Sequence, residues 1–496
     1  MGLLFAALMV TMLLASLNQT VLATALPTMV GELHGVDQMT WVISGYILAS
    51  TIMMPVYGRI SDQLGRKPVL LSAIALFIAG SVVGGLAPNM GVLIVARVIQ
   101  GLGAGGLMIL SQAAIADVVP ARERGKYMGA MGAVFAVSSV AGPLLGGWFT
   151  EGPGWRWAFW INLPLGALAI AAVSFLLHLP RRSSAARVRL DYLGMALLAA
   201  ATTALVLATT WGGHQFDWLS PQIIGLAVAF AVLAALFLWA ESRAQSPVIP
   251  LGLFRARNFA LTTVASLSVG VMMFGTIGYM PTYLQMVTGV DATEAGLLMI
   301  PMMGGLLISS IVSGQMVSRS GRYKAFPLTG SVVMAVALVL ISTLTVESPL
   351  VLLCAYICLF GLGIGMSMQI LTLIVQNTFP NAIVGTATAS NNYFRQVGAT
   401  LGSAVVGSVF ASRLTAELTD RLAGAGTVPE GMQINSLTPA GVNALPDGVR
   451  DIVVHAYNHA LMPIFAFLVP LAVVAFVALL FLKEVPLATS VHADAK

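Results

Sequence analysis

Charge is the scarcest feature of this sequence. Only 9% of its 496 residues are Asp, Glu, Lys or Arg, and 58% are hydrophobic, where an ordinary soluble domain is about one quarter charged. A soluble fold of this length needs polar cover, so the composition excludes a water-soluble globule. Cysteine is nearly absent as well. Cys354 and Cys358 are the only two, and they lie one helical turn apart in an apolar run. They read as small core side chains, since a metal site needs more ligands. Neither a metal nor a cofactor is expected. GxSxG, HExxH and P-loop patterns are also missing, so the chain has no residues set for enzymatic chemistry or ATP-driven pumping. It has no polar stretch of about 50 residues that could fold as a soluble signalling domain, which argues against a receptor.

Long apolar runs are what the chain has in abundance. A helix that crosses a membrane needs about 20 such residues, and runs of this kind occupy 3–30, 40–57, 68–87, 90–116, 125–148, 157–178, 191–211, 220–240, 259–288, 292–317, 325–345, 349–377, 385–411 and 456–482. Fourteen spans follow. Stretches such as 471–482 are apolar on every face, which fits helices and not the alternating strands of a membrane barrel. Fifty glycines suit close helix contact in lipid. The first run has no positive leader, exceeds the length of a signal-peptide core and continues through Asn18-Gln19-Thr20, so it reads as a retained span. Ala6 stands where a myristoylation signal needs Ser or Thr. The fold class expected is an all-α membrane protein surrounded by lipid.

The few basic residues are placed unevenly. Arg59, Arg66 and Lys67 follow span 2, and Arg122, Arg124 and Lys126 follow span 4. Arg181, Arg182, Arg187 and Arg189 follow span 6, Arg243, Arg255 and Arg257 span 8, Arg319, Arg322 and Lys324 span 10, and Lys483 and Lys496 span 14. Eighteen of the 24 basic residues thus lie on one side, whereas Arg156, Arg413, Arg421 and Arg450 lie on the other. An even number of spans with both termini in the cytoplasm satisfies the positive-inside rule. The basic loops are therefore topology signals, and no nucleic-acid partner is expected. The segment 412–455, mixed in charge and holding Pro, Gly and Asn, reads as a long irregular outer loop.

One inner loop repeats another. Gly58, Gly65 and Arg66 recur 256 residues later as Gly314, Gly321 and Arg322, each set after an even-numbered span. Internal repeats are how many transporters are built, with the substrate path between the halves. Six spans per half leave two over. The division expected is a six-helix bundle over 1–180, two additional spans with basic linkers over 181–258, and a second six-helix bundle over 259–496.

With these motifs the chain resembles the major facilitator superfamily, specifically its fourteen-span drug:proton antiporter family of multidrug exporters. The resemblance covers nearly the whole chain. Gly58 to Lys67 is similar to the superfamily's inner-loop signature, Arg97 to Gly103 to the proton-coupling motif, and Ala141 to Gly147 to the antiporter motif. Residues 17–27 resemble the family's opening motif. So do Trp155-Arg156-Trp157, Asn162, Tyr283-Leu-Gln285 and Asn392 to Gly398 in their places. The resemblance implies a monomer in a bacterial inner (plasma) membrane that exports hydrophobic or cationic compounds in exchange for protons. An exporter of a lipid, glycolipid or peptide is the alternative.

The residues themselves suggest roles. Asp62, Gly65, Arg66 and Asp117 form an expected inner gate, a charge network that holds two bundles together in one state and releases them in another. Arg97 is an intramembrane cation, costly and hence expected to be functional, with Gln100 on the same face. Gly142 and Pro143 break the ladder of span 5, and Gly146 and Gly147 thin it, giving a bent, smooth face expected to meet the opposite half. Thr20, Tyr46, Gln285, Gln369, Asn392, Tyr393 and Arg395 are expected along the substrate cavity. Methionines such as Met272, Met273 and Met303 suit an adaptable apolar wall. Asn18 departs from the resembling family, which has an acid there. A carboxylate at mid-membrane takes up protons because desolvation favours its neutral form. An amide cannot titrate, so either another group couples the chain to protons, or the chain does not couple to them, or Asn18 holds one state. The favoured expectation is that Asn18, close in shape to a protonated Asp, imitates the protonated acid. Asp291-Ala-Thr-Glu294 reads as a helix-capping box, and His455 and His459 as an interfacial pair.

Overall fold

The computed structural model describes residues 2–35, 38–177, 190–213, 215–425, 442 and 445–489. Arg181, Arg182, Arg187, Arg189 and Lys496 lie outside the described residues. Fourteen helices are long and apolar enough to cross a membrane. They are α1 (Gly2–Glu32), α2 (Met39–Leu64), α3 (Arg66–Gly85), α4 (Met90–Val118), α5 (Ala121–Glu151), α6 (Trp157–Leu176) and α7 (Tyr192–Trp211). Then come α8 (Pro221–Arg243), α9 (Arg257–Thr288), α10 (Thr293–Ser320), α11 (Ala325–Ser342), α12 (Leu350–Thr378), α13 (Val384–Ala425) and α14 (Asp447–Leu480). Helices are the local solution because lipid offers no partner for backbone N–H and C=O groups. Side-chain caps start several of them: Asn89, Asp191, Ser220 and Asp291 each accept from the backbone N–H three residues on. Asp291 thus fills the capping role expected of it.

Two apolar cores divide the molecule. α1–α6 pack around Leu8, Phe77, Leu107 and Phe159, and α9–α14 around Met302, Phe360, Leu371 and Phe465. The two extra helices lie beside the seam. α7 places Leu198 against Val56 of α2 and Tyr393 of α13, and Thr202 bonds the Tyr393 hydroxyl at 2.8 Å. α8 is the least buried of the fourteen and rests mainly on α7.

Two expectations need correction. The motif Gly58 to Lys67 is not a loop. α2 runs on to Leu64 and α3 starts at Arg66, leaving Gly65 alone between them at φ 91°. The segment 412–455 is not irregular throughout either, because α13 continues to Ala425 and α14 begins at Asp447. The sequence Arg413 to Ala425 is rich in Leu, Ala, Glu and Arg, all good helix formers, and an Arg421–Glu417 pair at 3.0 Å braces one turn. Polarity there marks a helix that leaves the apolar zone, not a loop. Most of the remainder, 426–441 and 443–444, lies outside the described residues.

Candidate functional site

At the end where the even-numbered helices finish, called here the basic-loop end, the halves are locked together. Arg66, buried against α4, pairs with Asp62 at 2.5 Å and with Asp117 at 3.1 Å. Asp62 in turn reaches the other half. It accepts from the backbone N–H of Gly385 at 3.2 Å, and from the N–H and hydroxyl of Thr386 at 2.7 and 2.6 Å. These are the first-turn donors of α13, left without intrahelical partners and favourable to a negative charge. Gly65 gives the chain the turn that brings Arg66 back beside Asp62. Arg124 adds a second tie, bonding Ala116 and Val119 carbonyls in its own half and the Gln376 carbonyl of α12 at 3.4 Å. Gly125 and Gly314 bring α5 and α10 into backbone contact.

A polar chain crosses the first half. Arg97 donates to Asn18 Oδ1 at 2.7 Å, to Gln100 Oε1 at 2.9 Å and to the Val42 carbonyl at 3.2 Å. Its guanidinium lies 4.1 Å from the Tyr46 ring centre. Gln100 passes the chain to Ser81 at 2.8 Å, which also accepts from Asn162. Gly101 and Gly105 let α2 come close enough for Tyr46 to cover Arg97. Every member is buried. Asn18 Nδ2 has no hydrogen-bond partner, an exception in a network where orphaned donors are costly.

Away from the basic-loop end, cavities lie between the helices of the two halves. A central cavity of about 90 Å³ is bounded by Tyr46, Gln19, Phe274, Arg395 and Gln396. It shares walls with a larger one of about 480 Å³ between α2, α7, α9 and α13, and with a third of about 80 Å³ that reaches Arg97. A separate cavity of about 330 Å³ lies between α5 and α10.

Of the seven residues expected along the cavity, Tyr46 and Arg395 line it. Tyr393 is two positions from Arg395, roughly 200° round the helix, and so faces α7. Thr20 points away to α5, where its hydroxyl donates to the Ser138 carbonyl at 2.9 Å, while Ser16 and Gln19 take the cavity face of α1. Gln369 is buried near Gly132, and Met368 lines the space instead. Gln285 bonds the Pro281 carbonyl in a π-turn at the far end of α9. Asn392 is held between Arg395 and Gln112 of the first half. The antiporter-motif glycines also divide. Gly142 and Gly146 pack on Thr20, Val21 and Thr24 of the same half, not on the opposite one as expected, whereas Pro143 and Gly147 border the α5–α10 cavity.

The family model described as Major Facilitator Superfamily matches residues 8–403. The chain belongs to that superfamily. It is 42% identical over 497 residues to an uncharacterized MFS-type transporter of Mycobacterium tuberculosis, covering 100% of this chain and 71% of that one. It is 35% identical to the multidrug transporter protein MdtP of Bacillus subtilis over 85% of this chain and 77% of the relative. Multidrug resistance protein 3 of the same organism is 31% identical, over 99% and 96%. In fold it matches the human organic anion transporter MFSD10, with TM-score 0.64 at 16% identity over 96% of this chain and 99% of that chain. A double-Trp mutant of XylE matches with TM-score 0.62 at 15% identity, over 97% and 96%. This superfamily member is a multi-pass membrane transporter and not an enzyme.

Several residues that build the transporter's site escaped sequence reasoning. Thr386 and Gly385 sit in a run of small residues with nothing to mark them as partners of Asp62. Gln112 had a usable signal, being an amide deep in an apolar span, where polar groups are rare and meaningful. Gln19 and Gln396 carried the same signal.

Proposed function

We propose that this chain is a secondary active exporter that moves small hydrophobic compounds out of the cytoplasm by alternating access. One observation supports the reading: Asp62–Thr386 and Arg124–Gln376 tie the two halves at one end, while the cavities lie away from that end, the largest of them bordered by Met39, Thr40 and Tyr279 toward the other. By the positive-inside rule the sealed end is cytoplasmic, with both termini there, and the state described is open to the outside of a bacterial plasma membrane. Asp62, Arg66 and Asp117 act as the inner gate, formed in this state and broken in the opposite one. Relatives named as multidrug transporters support the substrate class.

Coupling differs from that of an antiporter with an acid in its first helix. Asn18 accepts from Arg97 as the carbonyl of a protonated acid would, so this position is held in the proton-loaded arrangement and exchanges no proton. The whole path lies within one chain, so a monomer suffices. Hydrophobic dyes, measured in cells that express the chain and in cells that do not, test the reading. Faster dye loss in expressing cells, abolished by Asp62→Asn, is expected. Equal loss across a dye panel would refute it.

A further inference from the structure

Arg395 borders the central cavity and, among the described residues, has Asn392 as its one hydrogen-bond partner, a neutral amide. Among the described residues, no carboxylate pairs with it. The three connected cavities are bordered by two guanidinium groups and no acid. The other cation, Arg97, already donates to two side-chain amides and a carbonyl and lies against the Tyr46 ring. Asp62 and Asp117 are bound at the sealed end, and Glu151 faces the separate α5–α10 cavity. Facing Arg395 is an apolar wall: Met54, Met108, Phe135, Met273, Phe274 and Met368.

We propose that this cavity binds an amphipathic organic anion, with its carboxylate, sulfonate or phosphate on Arg395 and its apolar body against the methionine and phenylalanine wall. The proposal rests on the export reading only in taking the cavity as the substrate path. Arg395 is half-buried within the span. A guanidinium partly shielded from water and without a counter-ion is destabilised, and an arriving anion offsets part of that penalty. The planar fork matches an oxyanion in two-point contact, and methionine adapts to bodies of different shape. A cationic ligand would instead meet an uncompensated like charge at low dielectric.

The test is equilibrium binding to the purified full chain in an uncharged detergent. Two dansyl probes with the same eleven-carbon chain are used, one ending in carboxylate and the other in trimethylammonium. The wild type is expected to bind the carboxylate probe about tenfold or more tighter, and Arg395→Gln to lose about that factor for this probe alone, as removal of one charge-assisted contact implies. Arg395→Lys keeps the charge without the fork and should retain part of the preference, which also controls for folding. Equal or tighter binding of the cationic probe by the wild type overturns the proposal, as does an unchanged carboxylate affinity in Arg395→Gln. Flux of the same probes from proteoliposomes separates the two readings. Anion preference without flux removes export and leaves the site standing. Efflux of the cation without anion binding removes the site and leaves export standing.

Discussion

Asp62 near the end of α2 and Thr386 in the first turn of α13 share two hydrogen bonds, from the Thr386 N–H and hydroxyl, across 324 positions of sequence. The carboxylate therefore serves two partners, the orphaned donors of a helix in one half and Arg66 in its own. Replacing it by an amide leaves Arg66 with only Asp117 as a charged partner and turns an NH2 group toward donors. Breaking a buried pair costs about 3–5 kcal/mol, so Asp62→Asn should shift the sealed end toward opening by roughly a hundredfold or more. Thiol labelling reads this directly. Ala389→Cys, placed beneath Gly58 in a chain whose Cys354 and Cys358 are replaced by Ala, should react slowly with Asp62 present and quickly once Asp62→Asn is added. Unchanged labelling with normal transport would remove the gate.

Asn18→Asp tests the coupling. The new carboxylate would lie at the 2.7 Å contact with Arg97 Nη1 and would eliminate the donor that Asn18 Nδ2 leaves unpaired. Ionised, it pairs with Arg97. Protonated, it restores the arrangement of the wild type. Transport by the variant should therefore respond to an imposed pH gradient in proteoliposomes, and transport by the wild type should not. A wild-type response equal to the variant's would mean that protons enter by another group.

Hydropathy located all fourteen helices because lipid imposes one demand on every span, and an apolar run of sufficient length is its direct signature. The repeat of Gly58 and Gly314 was legible for a similar reason, since close backbone approach admits no other residue. Helical phase was not legible. A span that is apolar all round does not reveal which face meets a cavity: Tyr46 and Arg395 border one, whereas Tyr393 turns to α7 and Thr20 to α5. The lock between Asp62 and Thr386 was half visible: the acid belongs to a motif, but its partner is a small residue among small residues. The helical ends of α13 and α14 were missed because polar residues in a helix beyond the membrane resemble loop.

Gly142 of α5 packs directly on Thr20 of α1. A Cβ at position 142 would overlap the Thr20 side chain and dislodge its bond to the Ser138 carbonyl. Overpacking of this kind costs about 1–3 kcal/mol, so Gly142→Ala should melt at a lower temperature, followed by tryptophan fluorescence in detergent. Thr20→Gly removes the obstacle. The double variant should recover stability with a coupling energy of about 1 kcal/mol or more. Additive losses would mean that the two positions do not press on each other.

Gly58 and Gly314 make equivalent contacts on opposite sides of the seam. A Cβ on Gly58 would meet Ala389 and the Gly385 carbonyl of α13, and one on Gly314 would meet the Gly125 backbone of α5. The pattern extends four residues on, where Asp62 accepts from N–H groups early in α13 and Ser318, its counterpart, accepts from Lys126 N–H early in α5 at 2.9 Å. The copies differ in strength: Ser318 cannot hold a cation, and Arg322 is accordingly exposed while Arg66 is buried. Steric closure by the two motif copies is thus symmetric, and the ion pairing within them one-sided. Gly58→Leu and Gly314→Leu should both wedge the sealed end open by about 1–3 kcal/mol, or roughly 5–150-fold, and should abolish transport alike. Charge neutralisation should matter only in the first copy, with Arg66→Gln impaired and Arg322→Gln active. Gly225→Leu, on an exposed face of α8 with open space around it, should change neither transport nor labelling. A Gly314→Leu protein that transports normally while Gly58→Leu fails would show that the two contacts do not close as a pair.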